Sequence, residues 1–119
     1  MRGIHHLALR VADVERSRAF YGDLLGLPER RRFVEEGRLR SVWLQAGETV
    51  LMLETRLRGP GADDGSGHLL AFPVDDLSTW TRRLAAAGIA IVDRTDHTLY
   101  LRDPDGHRVG LSDLAFPPS

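Results

Sequence analysis

Apolar and polar residues alternate from Ile4 to Val11, with Leu7, Leu9 and Val11 on one face and His6, Ala8 and Arg10 on the other. A period of two is that of a strand with unlike surroundings on its two sides. The spacing changes after Asp13, a residue suited to cap a helix N-terminus. Phe20, Tyr21, Leu24 and Leu25 then form an apolar stripe at helical spacing. Gly26 ends this helix, and Pro28 prevents its resumption. Strands are predicted at Arg30–Glu35, Leu39–Gln45 and Thr49–Glu54, with turns at Glu36-Gly37 and Ala46-Gly47.

The order then repeats. Leu69-Leu70-Ala71-Phe72-Pro73-Val74-Asp75-Asp76-Leu77 stands 63 residues after His6-Leu7-Ala8-Leu9-Arg10-Val11-Ala12-Asp13-Val14, without a gap. A strand is predicted at Leu69–Val74 and a helix at Leu77–Ala87, with Leu77, Trp80 and Leu84 on its stripe and Gly88 at its end. Strands follow at Ile89–Asp93, Thr98–Arg102 and Arg108–Leu111, and Asp103-Pro104-Asp105-Gly106 has the composition of a tight turn. Between the copies, Gly59 to Gly67 holds four glycines, one proline and no large apolar residue, which makes it linker. The Pro-rich tail from Ala115 to Ser119 is expected at the surface. The chain therefore reads as one domain of two βαβββ modules, about 4–55 and 68–113, joined by a linker over 56–67.

Two copies of one unit can enclose a cavity, and the strand faces say which residues would line it. Leu7/Leu9/Val11, Leu70/Phe72/Val74, Leu51/Leu53 and Val109/Leu111 are apolar and are expected beneath the helices. The opposite faces carry His6, Ala8, Arg10, Trp43, Gln45, Met52, Glu54, Leu69, Ala71, Tyr100, Arg102, Gly110 and Ser112. Apolar walls with a few polar groups are what a small-molecule site needs. An assembly surface or a plain open sheet face fits the same composition.

Composition narrows the classes. The net charge of −1 over 119 residues gives no attraction to nucleic acid or an anionic membrane. All 16 basic residues are Arg, which favours fixed charge and planar hydrogen bonding. Without Cys there is no disulfide, thiolate metal site or thiol nucleophile. No secretory leader pattern precedes the first strand, and the apolar run from Leu84 to Val92 is too short to span a bilayer. The expectation is a cytoplasmic protein. Arg30-Arg31-Arg32 beside Glu35-Glu36 reads as a solvated hairpin of balanced sign. No phosphate-binding loop and no Ser/His/Asp arrangement is present.

In His6–Asp13, Ser17-Arg18-Ala19-Phe20-Tyr21 through Leu24-Leu25-Gly26-Leu27, Ala71–Leu77 and Leu101–Gly106, the chain resembles the glyoxalase/bleomycin-resistance/extradiol-dioxygenase (vicinal oxygen chelate) superfamily. The resemblance implies an α+β fold, two βαβββ units forming a cupped eight-stranded mixed sheet, and a homodimer. It leaves the reaction open, because the superfamily spans several enzyme classes and non-catalytic drug binders. In catalytic members it implies one divalent metal, Zn, Ni, Fe or Mn, held by side chains from the first and last strand of each unit. Carried onto this sequence, those positions are His6, Met52, Leu69 and Gly110. Glu54 lies two residues beyond Met52 on the same face, and His68 is one residue out of register with Leu69.

Catalytic zinc takes three protein ligands, whereas His6 and Glu54 are all that one constellation offers here, so the metal-free reading is preferred. Under it an organic ligand lies against Trp43, Tyr100, Met52 and Leu69, with His6, Arg10 or Arg102 fixing its polar end. Arg10 and Arg102 equally suit ion pairs. Glu54 suits a general base if burial raises its pKa, and otherwise a strand-end carboxylate or an arginine partner. The alternative function is a glyoxalase-like lyase or isomerase, with a metal on His6 and Glu54 acting on vicinal oxygens. His5 is expected to be structural, His97 and His107 solvated, and Trp80 in the core.

Overall fold

The structure is a computed structural model that describes residues 3–58 and 68–115. The expected linker from Gly59 to Gly67 and the last four tail residues lie outside the described residues. The chain divides into two compact units, Met1–Gly61 and Ala62–Ser119. Each contains the expected order of elements, and the eight strands among the described residues fall into two four-stranded mixed sheets.

In the first unit, β1 (His6–Arg10), β2 (Glu29–Glu35), β3 (Arg38–Ala46) and β4 (Thr49–Glu54) pair in the order β1-β4-β3-β2. β1 runs parallel to β4, which a hairpin cannot connect; the helical segment and two strands between them supply the crossover. The β2–β3 hairpin turns through Glu36 (φ 51°) and Gly37 (φ 74°), the paired positive angles that match strand twist.

The helix after Asp13 departs from the expected form. Regular α1 is only Val14–Arg18, and the chain continues as a π-helical segment over Ala19–Leu24. Its wider winding is recorded in the bond from Leu25 N–H to Phe20 O at 3.1 Å, five residues back. That winding buries both Phe20 (5% exposed) and Tyr21 (0%), adjacent in sequence. A Cβ added at Gly22 would lie 3.9 Å from the Leu44 Cδ2, so this segment packs on the Leu44 side of the sheet. Val42, Leu44, Leu51 and Leu53 form that floor, each at most 2% exposed. Leu7 departs from the expected buried set: it is 37% exposed, while Leu9 and Val11, further along the same face, are 3% exposed.

The second unit comprises β5 (Leu70–Pro73), α2 (Leu77–Ala86), β6 (Asp93–Arg94), β7 (Thr98–Arg102) and β8 (Arg108–Ser112), paired β5-β8-β7-β6. Its core is Leu84, Leu99, Leu101, Val109 and Leu111, all essentially inaccessible; Leu70, Phe72 and Val74 are half-buried. The strand expected at Ile89–Asp93 is reduced to two residues, and the reason lies in the helix end. Ile89 N–H bonds Leu84 O at 2.9 Å and Gly88 N–H bonds Ala85 O at 3.1 Å, with Gly88 at φ 72°. This is a Schellman cap, and it commits Ile89 to closing α2 instead of pairing in the sheet. Trp80 is also not core. It is half-buried and covered by the Arg83 guanidinium, 4.4 Å from its ring centroid.

The repeat extends to the caps. Asp13 and Asp76 both have extended backbones, at φ −131° and −140°, and each accepts a first-turn backbone N–H on its carboxylate. Bonds from Ser78 and then Thr79 hold the Asp76 carboxyl below the usual carboxylate range. A depressed folded-state pKa contributes stability above the unfolded pKa of about 3.9 and loses it as pH falls through the folded value. Asp76→Ala should therefore lower the melting temperature by a few degrees at neutral pH, and the difference from wild type should shrink progressively as pH falls below about 3.9. Thermal unfolding of both proteins across pH measures this.

Candidate functional site

The strand registers set out the face of the first sheet turned away from α1 as a grid. One row is Arg10, Glu54, Ser41 and Phe33; the next is Ala8, Met52, Trp43 and Arg31; His6, Val50 and Gln45 make a third. Side chains alternate along each strand, so all of these point to the side opposite Leu51 and Leu53. His6 and Arg10 are exposed, while Trp43, Met52 and Glu54 are half-buried. Trp43 and Phe33 have ring centroids 5.2 Å apart at 55°, and the Arg31 guanidinium lies 4.9 Å from the Phe33 centroid. A cation over an aromatic face is attracted by the ring quadrupole and holds the stack in place.

In the second unit the corresponding row is Ala71, Gly110 and Tyr100, with Pro73, Ser112 and Thr98 beside it. Ala71 thus repeats Ala8, Gly110 repeats Met52, and Tyr100 repeats Trp43, so both units place one aromatic in the same slot. Leu69 precedes β5 and is 43% exposed. Arg102 is exposed and donates from Nη1 to Gly106 O at 3.0 Å.

The four superfamily donor positions do not fit a metal in this chain. His6 offers an imidazole and Met52 only a weakly donating thioether; Leu69 and Gly110 offer nothing. At Gly110 an added Cβ would stand 3.4 Å from the Thr98 Cγ2 and 3.6 Å from the Ala71 Cβ, so its surroundings are apolar. His6 and Glu54 share a face but stand in rows four residues apart, about 13 Å along the strands. Bonds of about 2.0–2.2 Å to one ion hold its donors within about 4 Å of one another. No group of three or more His, Asp or Glu side chains suited to a metal occurs among the described residues. His68, counted back from Leu70, falls on the Leu70 face as its register implied, with its ring 5.4 Å from that of His107.

The remaining candidates sort as follows. The Nδ1 atoms of His5 and His6 lie 2.8 Å apart, so one ring donates to the other and the Nε2 of His6 is left for other partners. Glu54 has no ion-pair partner among the described residues. His97 is exposed and bonds Asp113 at 2.9 Å. His107 is half-buried, not solvated: its backbone N–H and that of Asp105 both donate to the buried Asp103 Oδ1 at 2.8 Å, which pins the turn and its flank. Arg32 is tied to Glu29 at 2.7 Å, which lowers the Glu29 pKa, in keeping with a solvated hairpin of balanced charge. Ser41, Phe33 and Arg31 belong to the first-sheet face but were absent from the sequence-derived set. Ser41 was within reach of that reading, since it stands two residues before Trp43 on one strand. Phe33 and Arg31 depend on the β2–β3 register, which shifts twice along the hairpin.

Residues 3–111 match the family model described as the Glyoxalase/Bleomycin resistance protein/Dioxygenase superfamily. The chain belongs to this superfamily. Among curated relatives it is 29% identical over 119 residues to the glutathione transferase FosA of Serratia marcescens, covering 93% of this chain and 80% of that protein. Among solved structures, the fosfomycin resistance protein FosX of Mesorhizobium loti superposes with a TM-score of 0.77 at 19% identity, over 98% of this chain and 94% of that one. TnmS3, an antibiotic-binding protein from a Streptomyces species, superposes with a TM-score of 0.71 at 21% identity, over 94% of this chain and 95% of that one. At these identities the structural likenesses establish the glyoxalase-like fold, and the superfamily's chemistry has to be read from the residues that this chain retains.

Proposed function

We propose that this superfamily member binds a small organic molecule on a sheet face turned from the helices, and does so without a metal. The observation that carries the proposal is the substitution of the superfamily's donor positions by Met52, Leu69 and Gly110 while the same faces keep an aromatic slot at Trp43 and at Tyr100. Apolar walls and a few polar groups suit orientation of an organic ligand better than they suit a cation. In this reading Trp43 and Met52 supply contact area on the first unit's face, where His6 and Arg10 fix polar groups and Glu54 adds an acceptor. On the second unit's face Leu69 and Tyr100 supply contact area and Arg102 fixes polar groups. The similarity to an antibiotic-binding protein supports the same class of ligand. A homodimer in the cytoplasm is the accompanying proposal.

Chemical-shift mapping on labelled protein tests where binding occurs. The titrants are a fragment library together with fosfomycin and bleomycin. The expected result is that at least one compound moves the signals of Ala8, Arg10, Trp43, Met52 and Glu54 together. Binding confined to other surfaces, or no binding by any compound, would contradict the proposal.

A further inference from the structure

Two polar groups on the first-sheet face have no hydrogen-bond partner among the described residues. The Ser41 Oγ and the Trp43 Nε1 are both buried, and no described residue bonds either. Ser41 is 6% exposed and stands two positions before Trp43 on β3, with its side chain on the same face. Glu54 is its cross-strand neighbour, yet no bond joins the two side chains. Buried polar groups in folded proteins are nearly always bonded, and those that are not call for an explanation. An indole N–H can only donate, so a partner for Trp43 has to bring an acceptor. A hydroxyl can donate as well, which lets one acceptor-bearing ligand satisfy both.

The neighbourhood adds a shape requirement. Phe33 and Trp43 form the inclined ring pair, Arg31 lies against Phe33, and Met52 and Ala8 continue the row beside Trp43. A flat ring meets aromatic faces, a thioether and a methyl group there. From these observations we infer that Ser41 and Trp43 are the polar anchors of the site, and that its ligand class is flat aromatic molecules carrying carbonyl or carboxylate oxygens. The inference rests on the binding function proposed above and narrows it. Ser41 and Trp43 stand two residues apart on β3, about 7 Å along the strand at the backbone, so a fused ring system with oxygens on more than one position suits the pair.

The test uses the full-length Trp80→Phe protein, in which Trp43 gives the only indole N–H signal, since the chain has two tryptophans. Probes are coumarin, chromone and 2-naphthoate. Toluene supplies a ring without an acceptor, and methylphosphonate supplies acceptors without a ring. The oxygenated aromatics are expected to move the indole proton downfield and to bind more tightly than either comparator. Ser41→Ala in the same background should weaken them about three- to tenfold, the range for one hydrogen bond, with the remaining backbone spectrum unchanged. An indole signal that no oxygenated aromatic moves overturns the inference, as does equal binding of toluene or indifference to Ser41→Ala. Binding of comparators on this face with the indole unmoved would leave the broader function standing and remove only the anchors. Binding of nothing on this face would remove both.

Discussion

Trp43→Ala should weaken ligand binding about 30-fold or more, while His6→Ala should weaken it no more than about threefold, as measured by titration calorimetry. The asymmetry follows from where the two side chains stand. Trp43 sits in the middle of its row, half-buried, inclined against Phe33 and flanked by Met52. Truncating it removes a large contact surface and one donor, and leaves a void beside Phe33. Losses of about 2 kcal/mol or more are usual for an aromatic anchor of this kind. His6 is exposed at the start of β1, with one ring nitrogen already engaged by His5. It can lose one hydrogen bond to the ligand and little else. A metal-dependent enzyme would reverse the order, because the retained imidazole would then be indispensable. Urea midpoints measured alongside separate a binding loss from a folding loss, and Trp43→Ala is expected to remain folded because its row lies opposite the Leu51/Leu53 floor.

Leu53→Ala should destabilise the protein by about 2–5 kcal/mol, whereas Met52→Ala, one residue away, should cost about 1 kcal/mol. Leu53 is 0% exposed on the floor beneath the helical segment. Its truncation leaves a cavity among Leu9, Val42 and Leu44 that their backbones cannot close. Met52 points to the other face and is only half-buried, so solvent or a repacked Trp43 takes up part of the lost volume. A loss of 2–5 kcal/mol is a large share of the roughly 5–15 kcal/mol by which domains are stable, so Leu53→Ala should show a clearly lowered urea midpoint. Equal effects at the two positions would mean that the strand faces are assigned wrongly.

These two expectations rest on the part of the molecule most legible from sequence. Strand alternation placed Leu51 and Leu53 together, and Met52, Trp43 and Glu54 opposite them, because a period of two leaves only one arrangement of faces. The 63-residue repeat sets Leu69 at the position of His6 and so out of the donor set, and Asp13 reads as a helix cap from its place before the stripe. Legibility failed where one residue answers to two demands. Ile89 has the apolar character of a strand residue, but its N–H closes the α2 cap, so β6 shrinks. Phe20, Tyr21, Leu24 and Leu25 have helical spacing, but burying adjacent aromatics widens the winding to a π-helical segment. Trp80 has core spacing but is covered by Arg83, a stacking contact that hydrophobic periodicity does not encode. The candidate face was readable strand by strand. Its rows were not, because the register shifts of β2 bring Phe33 and Arg31 beside Ser41 and Trp43 only once the hairpin is built.

Above all, the first-sheet face is proposed to recognise an organic molecule with no ion between them. Elemental analysis of dialysed protein, combined with ligand titration before and after treatment with a chelator, tests this directly. Far less than one equivalent of any divalent metal is expected, with a dissociation constant unchanged by chelation. One tightly held equivalent, whose removal abolishes binding and whose return restores it, would contradict the proposal.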